Sequence, residues 1–346
     1  MKQIGRELGV RYVLEGSVRR TGDEVRVDVQ LIDAENGAYL WADRFETDRR
    51  NLPDAQSEVT GRLTRTLNLE FIKDAGRRIE QERAVAPDAR DLIIRGWALW
   101  YRPRSLESVQ EAQRAFEQAL EIDPRSIDTR IGLAKILLAK VNQGWSSSFQ
   151  QDLARAEQLL LEALERDTDL SIAHSTMRVL RRAQNRLTES RIESERAVAL
   201  DPNDSFAHIQ LGWIRLYLGD PAAGLAESEN ALRLSLHDPQ LWGYYLQLGW
   251  CQLLSNRVDP AIDLLIKSRA ENQRLWLSHF GLAGALGLKG DLDAARTALA
   301  EMRKVNPKVD SLARFHELRP WGNSQYWALY EKTAASGLRR AGFPEE

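Results

Sequence analysis

The chain has 346 residues, enough for two or three ordinary domains or for one long array of repeats. Its 48 Lys and Arg residues nearly balance its 50 Asp and Glu residues, so the net charge of −2 predicts no binding to nucleic acid or anionic lipid. The single cysteine, Cys251, excludes an internal disulfide, and no apolar run reaches the ~18 residues that a membrane-spanning helix needs.

The first 46 residues carry a β pattern behind a short predicted helix at 3–8. The segment VRVDVQLID (25–33) alternates apolar and polar residues, which is the period-two pattern of a half-buried strand. Apolar stretches lie on both sides of it, and the Gly-containing triplets at 21–23 and 35–37 have the composition of tight turns. These features predict a three-stranded antiparallel meander.

Three strands and one short helix make a poor domain, because one face and one edge of the sheet would stay uncovered. We therefore expect that a segment belonging in front of Met1 is missing, so that Met1 is an internal start or marks a truncated gene.

The pattern becomes helical from Pro53 onward. It predicts four parts: a partial α/β segment at 1–50, connecting helices at 51–86, about six helical repeats at 87–310, and capping helices with a tail at 311–346. The fold class predicted for the whole chain is mainly α, a solenoid of helical hairpins preceded by a small, incomplete α/β part.

The repeats are marked by a signature in which a small residue is followed by a bulky one four positions later and by another small one three later. Each copy ends in Asp-Pro or a degraded form of it, and the last residues of successive copies are 44, 34, 37, 34 and 34 positions apart. A period near 34 with this pattern resembles the tetratricopeptide repeat, in which antiparallel helix pairs stack into a solenoid. The copies are AQRAFEQALEIDP (112–124), AEQLLLEALERDT (156–168), SRIESERAVALDP (190–202), GLAESENALRLSLHDP (224–239), AIDLLIKSRAENQ (261–273) and ARTALAEMRKVNP (295–307).

The small positions of this pattern allow two helices to approach closely, and the bulky position fills the groove between units. The third unit departs most from the pattern, since Arg178 stands at position 8 of its first helix, where the repeat places a small residue. The Asp and Asn residues beside the prolines are expected to end one helix and to cap the next.

A second resemblance covers the part in front of the repeats. The segment 8–46 resembles the second half of a TolB-like domain that precedes tetratricopeptide arrays in a bacterial family, and the ending SGLRRAGFPEE (336–346) resembles the close of its cyclase-linked members. The resemblance implies a regulatory region whose relatives carry a class III adenylate cyclase domain or a winged-helix DNA-binding domain in front. It rests on LEGS (14–17), RR (19–20), LIDAENG (31–37) and LWA (40–42).

Motifs for catalysis are missing from the sequence. It contains no GxxxxGK[ST] phosphate loop, no glycine-rich dinucleotide turn and no GxSxG elbow, and nothing precedes the sheet that could supply the metal-binding carboxylates of a cyclase. His174, His208 and His279 fall at position 4 of their units, where the repeat has a packing residue, so their spacing follows from the repeat rather than from a metal site. We expect no catalytic residue, no metal and no cofactor.

The concave side of such a solenoid is lined by positions 2, 5, 9, 12 and 13 of the first helices. These positions are rich in Trp and Tyr here, and large rigid aromatic side chains are frequent anchors of protein interfaces. The alternatives are that the rings are core between repeats, or that the chain's own tail or a second copy covers them. The predicted groove residues are Trp97, Trp100, Tyr101, Ile131, Lys135, Ile209, Trp213, Leu216, Tyr217, Leu246, Trp250, Leu253 and Phe280.

The function that these patterns favour is a non-catalytic interaction or regulatory scaffold that binds a protein or peptide in the groove. The alternatives are the C-terminal fragment of a class III adenylate cyclase and the effector region of a transcriptional regulator. We expect a soluble chain without nucleic-acid partners or membrane insertion, with self-association possible. The expected location is the cytoplasm, or the periplasmic side of a membrane-anchored parent.

Overall fold

The structure is a computed structural model that describes residues 2–48, 88–101, 105–234 and 241–346, together with positions 67, 71, 72 and 76. The chain divides into two compact units, Met1–Lys140 and Val141–Glu346. The predicted connecting helices at 51–86 lie outside the described residues except at those four positions. The predicted fold class is confirmed, since the chain is mainly helical with one small three-stranded sheet.

The sheet follows a short helix and is antiparallel in the order β1-β2-β3. Gly22 and Gly37 occupy the two turns with φ values of 64° and 79°, a backbone region that glycine adopts without steric cost. β2 is central and carries the buried residues Leu31 and Ile32, whereas Val18 on β1 is 70 % exposed. The elements are α1 (Lys2–Leu8), β1 (Tyr12–Thr21), β2 (Glu24–Asp33) and β3 (Tyr39–Asp48).

The first repeat helices are α2 (Ala89–Trp100), α3 (Leu106–Ile122) and α4 (Ile127–Asn142). Asp88 caps α2, because its carboxylate accepts the N–H of Asp91 at 2.8 Å. Phe116 of α3 is fully buried, and a Cβ added at Gly96 of α2 would lie 2.7 Å from its ring. The bulky position of one helix thus fills the space that the small position of its neighbour leaves, as the repeat pattern predicts.

In the second unit, from α5 onward, each repeat helix packs against the next. The predicted small positions are buried: Ala156, Ala163, Ala197, Ala231, Ala261 and Ala295 are at most 1 % exposed. The helices are α5 (Phe149–Leu164), α6 (Ser171–Ala183), α7 (Leu187–Leu200), α8 (Ser205–Tyr217), α9 (Pro221–Arg233), α10 (Leu241–Leu254), α11 (Val258–Glu271), α12 (Trp276–Lys289) and α13 (Leu292–Val305).

The turns inside four successive hairpins share one geometry. Asn185, Gly219, Asn256 and Gly290 all have left-handed φ values, between 57° and 92°. At each turn the next N–H bonds back to a carbonyl five positions earlier, as in the bond from Arg186 to the carbonyl of Arg181 at 2.8 Å. This is the Schellman ending of a helix, which Gly and Asn favour. The repeat period is therefore visible in the backbone as well as in the side chains.

The last 36 residues form what we call the C-terminal segment (311–346). It contains α14 (Leu312–Leu318) and one continuous helix that consists of α15 (Ser324–Tyr330), a π-helical turn (Glu331–Ala335) and α16 (Ser336–Arg340). We call residues 324–340 the tail helix. Among the described residues, no helix combines the length and the apolar character that crossing a bilayer requires.

Two of the histidines connect the helices of their own repeat. His174 Nδ1 lies 2.7 Å from a carboxylate oxygen of Glu193, and its Nε2 lies 3.0 Å from the carbonyl oxygen of Thr168. His208 repeats this 34 residues later, with Glu227 at 2.8 Å and the carbonyl of Pro202 at 3.0 Å. A carbonyl oxygen only accepts hydrogen bonds, so with an ionised Glu both ring nitrogens must donate. The doubly protonated imidazolium satisfies both contacts.

The pKa of His174 and that of His208 are accordingly raised, chiefly by the hydrogen bond to the carboxylate, with burial acting in the opposite direction. The third predicted packing histidine differs: His279 Nε2 contacts the carbonyl of Gln273, and its buried Nδ1 has no hydrogen-bond partner. Within the described ranges, no cluster of three His, Cys, Asp or Glu side chains is arranged to hold a metal ion. Cys251 is fully buried, which raises the pKa of its thiol.

The two histidine–carboxylate pairs predict a pH dependence of stability. A folded pKa above the unfolded value of about 6.5 adds stability that is fully present below that pH and is lost as the pH rises through the folded pKa. The wild-type melting temperature should therefore fall more between pH 6 and 8.5 than that of the double variant Glu193→Gln/Glu227→Gln. Asp259→Asn is the matched control, because it removes an exposed ion pair with Lys289 that contains no histidine, and it should keep the wild-type slope. Equal slopes in wild type and double variant would contradict this role.

Candidate functional site

The predicted groove residues of the first unit form a partly accessible aromatic surface. Trp97 and Trp100 of α2 are half-buried and Tyr101 is 42 % exposed, whereas Ile131 of α4 is fully buried. The ammonium group of Lys135 lies 5.5 Å from the ring centroid of each tryptophan. A cation at this distance from a ring face is attracted by the π electrons. We call Trp97, Trp100, Tyr101 and Lys135 the aromatic surface.

The predicted groove residues of the second unit lie on α8, α10 and α12, the first helices of three successive repeats. α10 contacts both α8 and α12, so the three helices form one wall, which we call the inner wall. Of the eight predicted residues on it, Trp213 is half-buried and the other seven are buried. These seven are Ile209, Leu216, Tyr217, Leu246, Trp250, Leu253 and Phe280.

The C-terminal segment covers much of this wall. The π-helical turn of the tail helix contacts α10 and α12, and α16 packs along α12. Phe280 of α12 stacks on Phe315 with ring centroids 4.7 Å apart, and Phe315 in turn stacks on Tyr330 at 5.2 Å. Phe343 meets Phe280 edge-on at 5.4 Å. A chain of aromatic rings therefore joins the wall to both ends of the segment.

Glycine makes the closest contact between the tail helix and the wall. Gly284 and Gly287 of α12 face Gly337 of α16, and a Cβ added at either Gly287 or Gly337 would overlap a backbone carbonyl of the opposite helix. A Cβ at Gly284 would lie 3.0 Å from the carbonyl oxygen of Ala334. Any side chain at these positions would push the helices apart, so the contact depends on glycine.

Polar contacts fix the start of the tail helix at the end of α8. The Asn323 N–H donates to the carbonyl oxygen of Tyr217 at 2.9 Å, and its side-chain amide donates to that of Leu218 at 2.8 Å. The side-chain oxygen of Asn323 accepts the N–H of Tyr326, in the first turn of the tail helix, at 2.9 Å. Asn323 therefore caps two helix ends at once, the last carbonyls of α8 and the first amide groups of the tail helix.

The residues of the inner wall were predicted from the sequence, and cover by the chain's own tail was one of the alternatives, but the residues of the tail that make the contacts were not predicted. Asn323, Gly337 and the facing Gly284 were absent from the predicted site. A signal was available, because α12 carries Gly281, Gly284 and Gly287 at helical spacing, and such a row permits close helix packing.

Comparisons with known proteins place the repeats among helical solenoids. No protein-family profile matches the chain. Over 190 residues it is 33 % identical to a protein of Rhizobium meliloti (strain 1021) named "Putative adenylate cyclase 3", a match that covers 55 % of this chain and 32 % of that protein. The matched part thus spans about a third of that relative's length.

Two solved structures are similar in fold. One is the Cut9 and Hcn1 heterotetramer of the APC/C, with a TM-score of 0.58 and 16 % identity, covering 77 % of this chain and 47 % of that chain. The other is PilF of Pseudomonas aeruginosa, with a TM-score of 0.51 and 20 % identity, covering 67 % of this chain and 97 % of that chain. At these identities the likeness is one of fold, and it agrees with a tetratricopeptide-type solenoid.

Proposed function

We propose that this chain is a non-catalytic regulatory module that binds a protein or peptide partner through the concave side of its helical repeats. The observation that carries the proposal is that the inner wall already holds a helix, the chain's own tail helix. A wall that accommodates one helix through aromatic stacking and a glycine contact has the shape and the chemistry of a helix-binding groove.

The tail helix would then act as an internal ligand. Its occupancy of the inner wall leaves the aromatic surface and part of Trp213 as the accessible residues of the predicted groove. Two half-buried indoles and an exposed phenol supply large contact area at low cost in side-chain entropy, and Lys135 adds a positive charge beside them. A partner segment with apolar and acidic side chains fits this combination.

The similarity to the Rhizobium meliloti protein favours a second, compatible candidate. In it, the chain is the regulatory region of a cyclase-type signalling protein, and catalysis belongs to a part of such proteins outside the matched third. The repeats would receive a partner and pass its presence on to a catalytic domain. The TolB-like resemblance of residues 8–46 supports the same proposal.

The internal-ligand role predicts that one methyl group will weaken the contact between the tail helix and the wall. Gly337→Ala places a Cβ against the Gly284 carbonyl, so the C-terminal segment should become sensitive to protease. The variant should also bind a fluorescent peptide of residues 320–346 more tightly than wild type does, because the added peptide keeps Gly337. Gly243→Ala is the control, since its Cβ would meet no atom within 4 Å. A variant tail that stays as protected as wild type, without peptide binding, would exclude this role.

The partner-binding role predicts a loss of affinity when a tryptophan of the aromatic surface is replaced by alanine. Trp100→Ala should weaken the binding of a captured partner by ~2 kcal/mol of binding free energy, which raises the Kd about 30-fold, without lowering the helical content of the chain. The matched control is Trp242→Ala on α10, a half-buried tryptophan outside the predicted groove. The measurement compares proteins retained from cell extract by immobilised wild type and by each variant. Identical retention by all three would remove the aromatic surface from the proposal.

The absence of catalysis predicts that the purified chain forms no cyclic AMP from ATP in the presence of Mn²⁺. The assay is chromatographic detection of cyclic AMP, with an active class III cyclase as the positive control. Cyclic AMP formation that scales with the concentration of this chain would overturn the proposal of a non-catalytic module.

A further inference from the structure

Several buried or partly buried arginines of the second unit are paired with carboxylates. Arg181 of α6, which is 8 % exposed, forms ion pairs with Glu157 and with Glu189. Three other arginines differ. Arg178, Arg182 and Arg319 form no ion pair with any carboxylate in the part of the chain that the structure describes.

Arg178 is the most buried of the three, with 4 % of its surface exposed, and its Nε has no hydrogen-bond partner. Burial, and after it the nearby charge of Arg182, lower the pKa of its guanidinium to about 9, although Asp204 acts in the opposite direction. Asp204 serves as the N-cap of α8, where it accepts the N–H of Phe206 at 2.9 Å. Arg178 is therefore charged at neutral pH without a carboxylate at ion-pair distance.

Arg182 and Arg319 are held around one tryptophan by neutral groups. The guanidinium carbon of Arg182 lies 4.2 Å from the ring centroid of Trp321, and that of Arg319 lies 4.9 Å from it. Arg182 also donates to the side-chain oxygen of Asn142 at 3.2 Å, and Arg319 donates to the hydroxyl of Tyr217 at 2.9 Å. Arg178 lies one helical turn before Arg182 on the same face of α6.

Arg182 is near enough to Arg178 and to Arg319 for their like charges to repel, and each guanidinium group has lost part of its hydration. Burial chiefly, and the charge of Arg319 to a smaller extent, lower the pKa of Arg182, although Tyr217 acts in the opposite direction. Position 8 of a repeat normally holds a small residue, so Arg178 also costs packing space. An anion among the three guanidinium groups would relieve the repulsion and supply an acceptor for the unpartnered Nε. Guanidinium forks match the oxygens of phosphate well.

We propose that Arg178, Arg182 and Arg319 form a binding site for a small phosphate-bearing anion beside Trp321. The site joins α6 to the turn that precedes the tail helix, because Arg319 and Trp321 belong to the C-terminal segment. A bound phosphate group would therefore tie that segment to the repeats. The tail helix would be held more firmly on the inner wall when the anion is present.

The test measures the melting temperature of the full chain in inorganic phosphate and in pyrophosphate, against chloride at matched ionic strength. Both phosphate probes should raise the melting temperature of wild type in a saturable way, and calorimetric titration with pyrophosphate should give a defined stoichiometry. Citrate is the carboxylate probe and should raise it less. An equal effect of citrate and phosphate would overturn the assignment of the site to phosphate.

Two variants with opposite expected effects make the test independent of folding losses. In chloride, Arg178→Leu should raise the melting temperature, because it removes a buried charge that has no counter-charge. Arg181→Leu, the neighbouring control, should lower it, because Glu157 and Glu189 lose their partner. Arg178→Leu should weaken pyrophosphate binding about tenfold or more, whereas Arg181→Leu that remains folded should keep it.

Arg319→Gln provides a second variant outside the repeat helices. It should also weaken pyrophosphate binding about tenfold or more. The proposal is overturned if phosphate and chloride shift the wild-type melting temperature equally, or if Arg178→Leu and Arg319→Gln both retain wild-type binding. It is also overturned if Arg178→Leu destabilises the chain as much as Arg181→Leu does.

Discussion

Close approach of helix backbones at small residues is the constraint on which this structure depends. Within the hairpins, buried alanines and Gly96 or Gly249 leave space that Phe116 or Leu265 fills. At Gly284 and Gly337 the two helix backbones are in direct contact, and this contact holds the tail helix on the inner wall. Dispersion attraction falls off steeply with distance. One added carbon that pushes two backbones apart therefore weakens all the contacts between the two helices, not only its own.

The C-terminal segment links the stability of the second unit to its proposed role. Its aromatic rings extend the hydrophobic core of α8, α10 and α12, so removing the segment would expose part of that core to water. Polar contacts at Asn323 and Arg319 give the cover a defined position. A partner for the inner wall would have to replace both kinds of contact, whereas a partner for the aromatic surface would not.

The repeat period allowed the helices and their small positions to be predicted from the sequence, and the alternation of apolar and polar residues allowed the meander to be predicted, because each depends on contacts between residues close in the chain. Cover of the inner wall by the chain's own tail was one of the alternatives, but its contacts could not be predicted, since the hydrogen bond from Arg319 to Tyr217 joins residues 102 positions apart. His174 and His208 were correctly assigned to the repeat, but their carboxylate partners were missed although Glu193 and Glu227 share the period of 34. In the sequence, Arg178 stood out only as a large residue at position 8, where the repeat pattern has a small one. In the structure that position belongs to the cluster of Arg178, Arg182 and Arg319.

The π-helical turn within the tail helix accommodates one extra residue. A π turn takes up one residue more than a regular α-helical turn, so the helix after Ala335 keeps the orientation that an uninterrupted α-helix one residue shorter would have. Deleting one codon in 331–335 would therefore restore an ordinary α-helix while Gly337 still faces α12. The same deletion elsewhere in the tail helix would rotate all later residues by about 100° and separate Gly337 from Gly284.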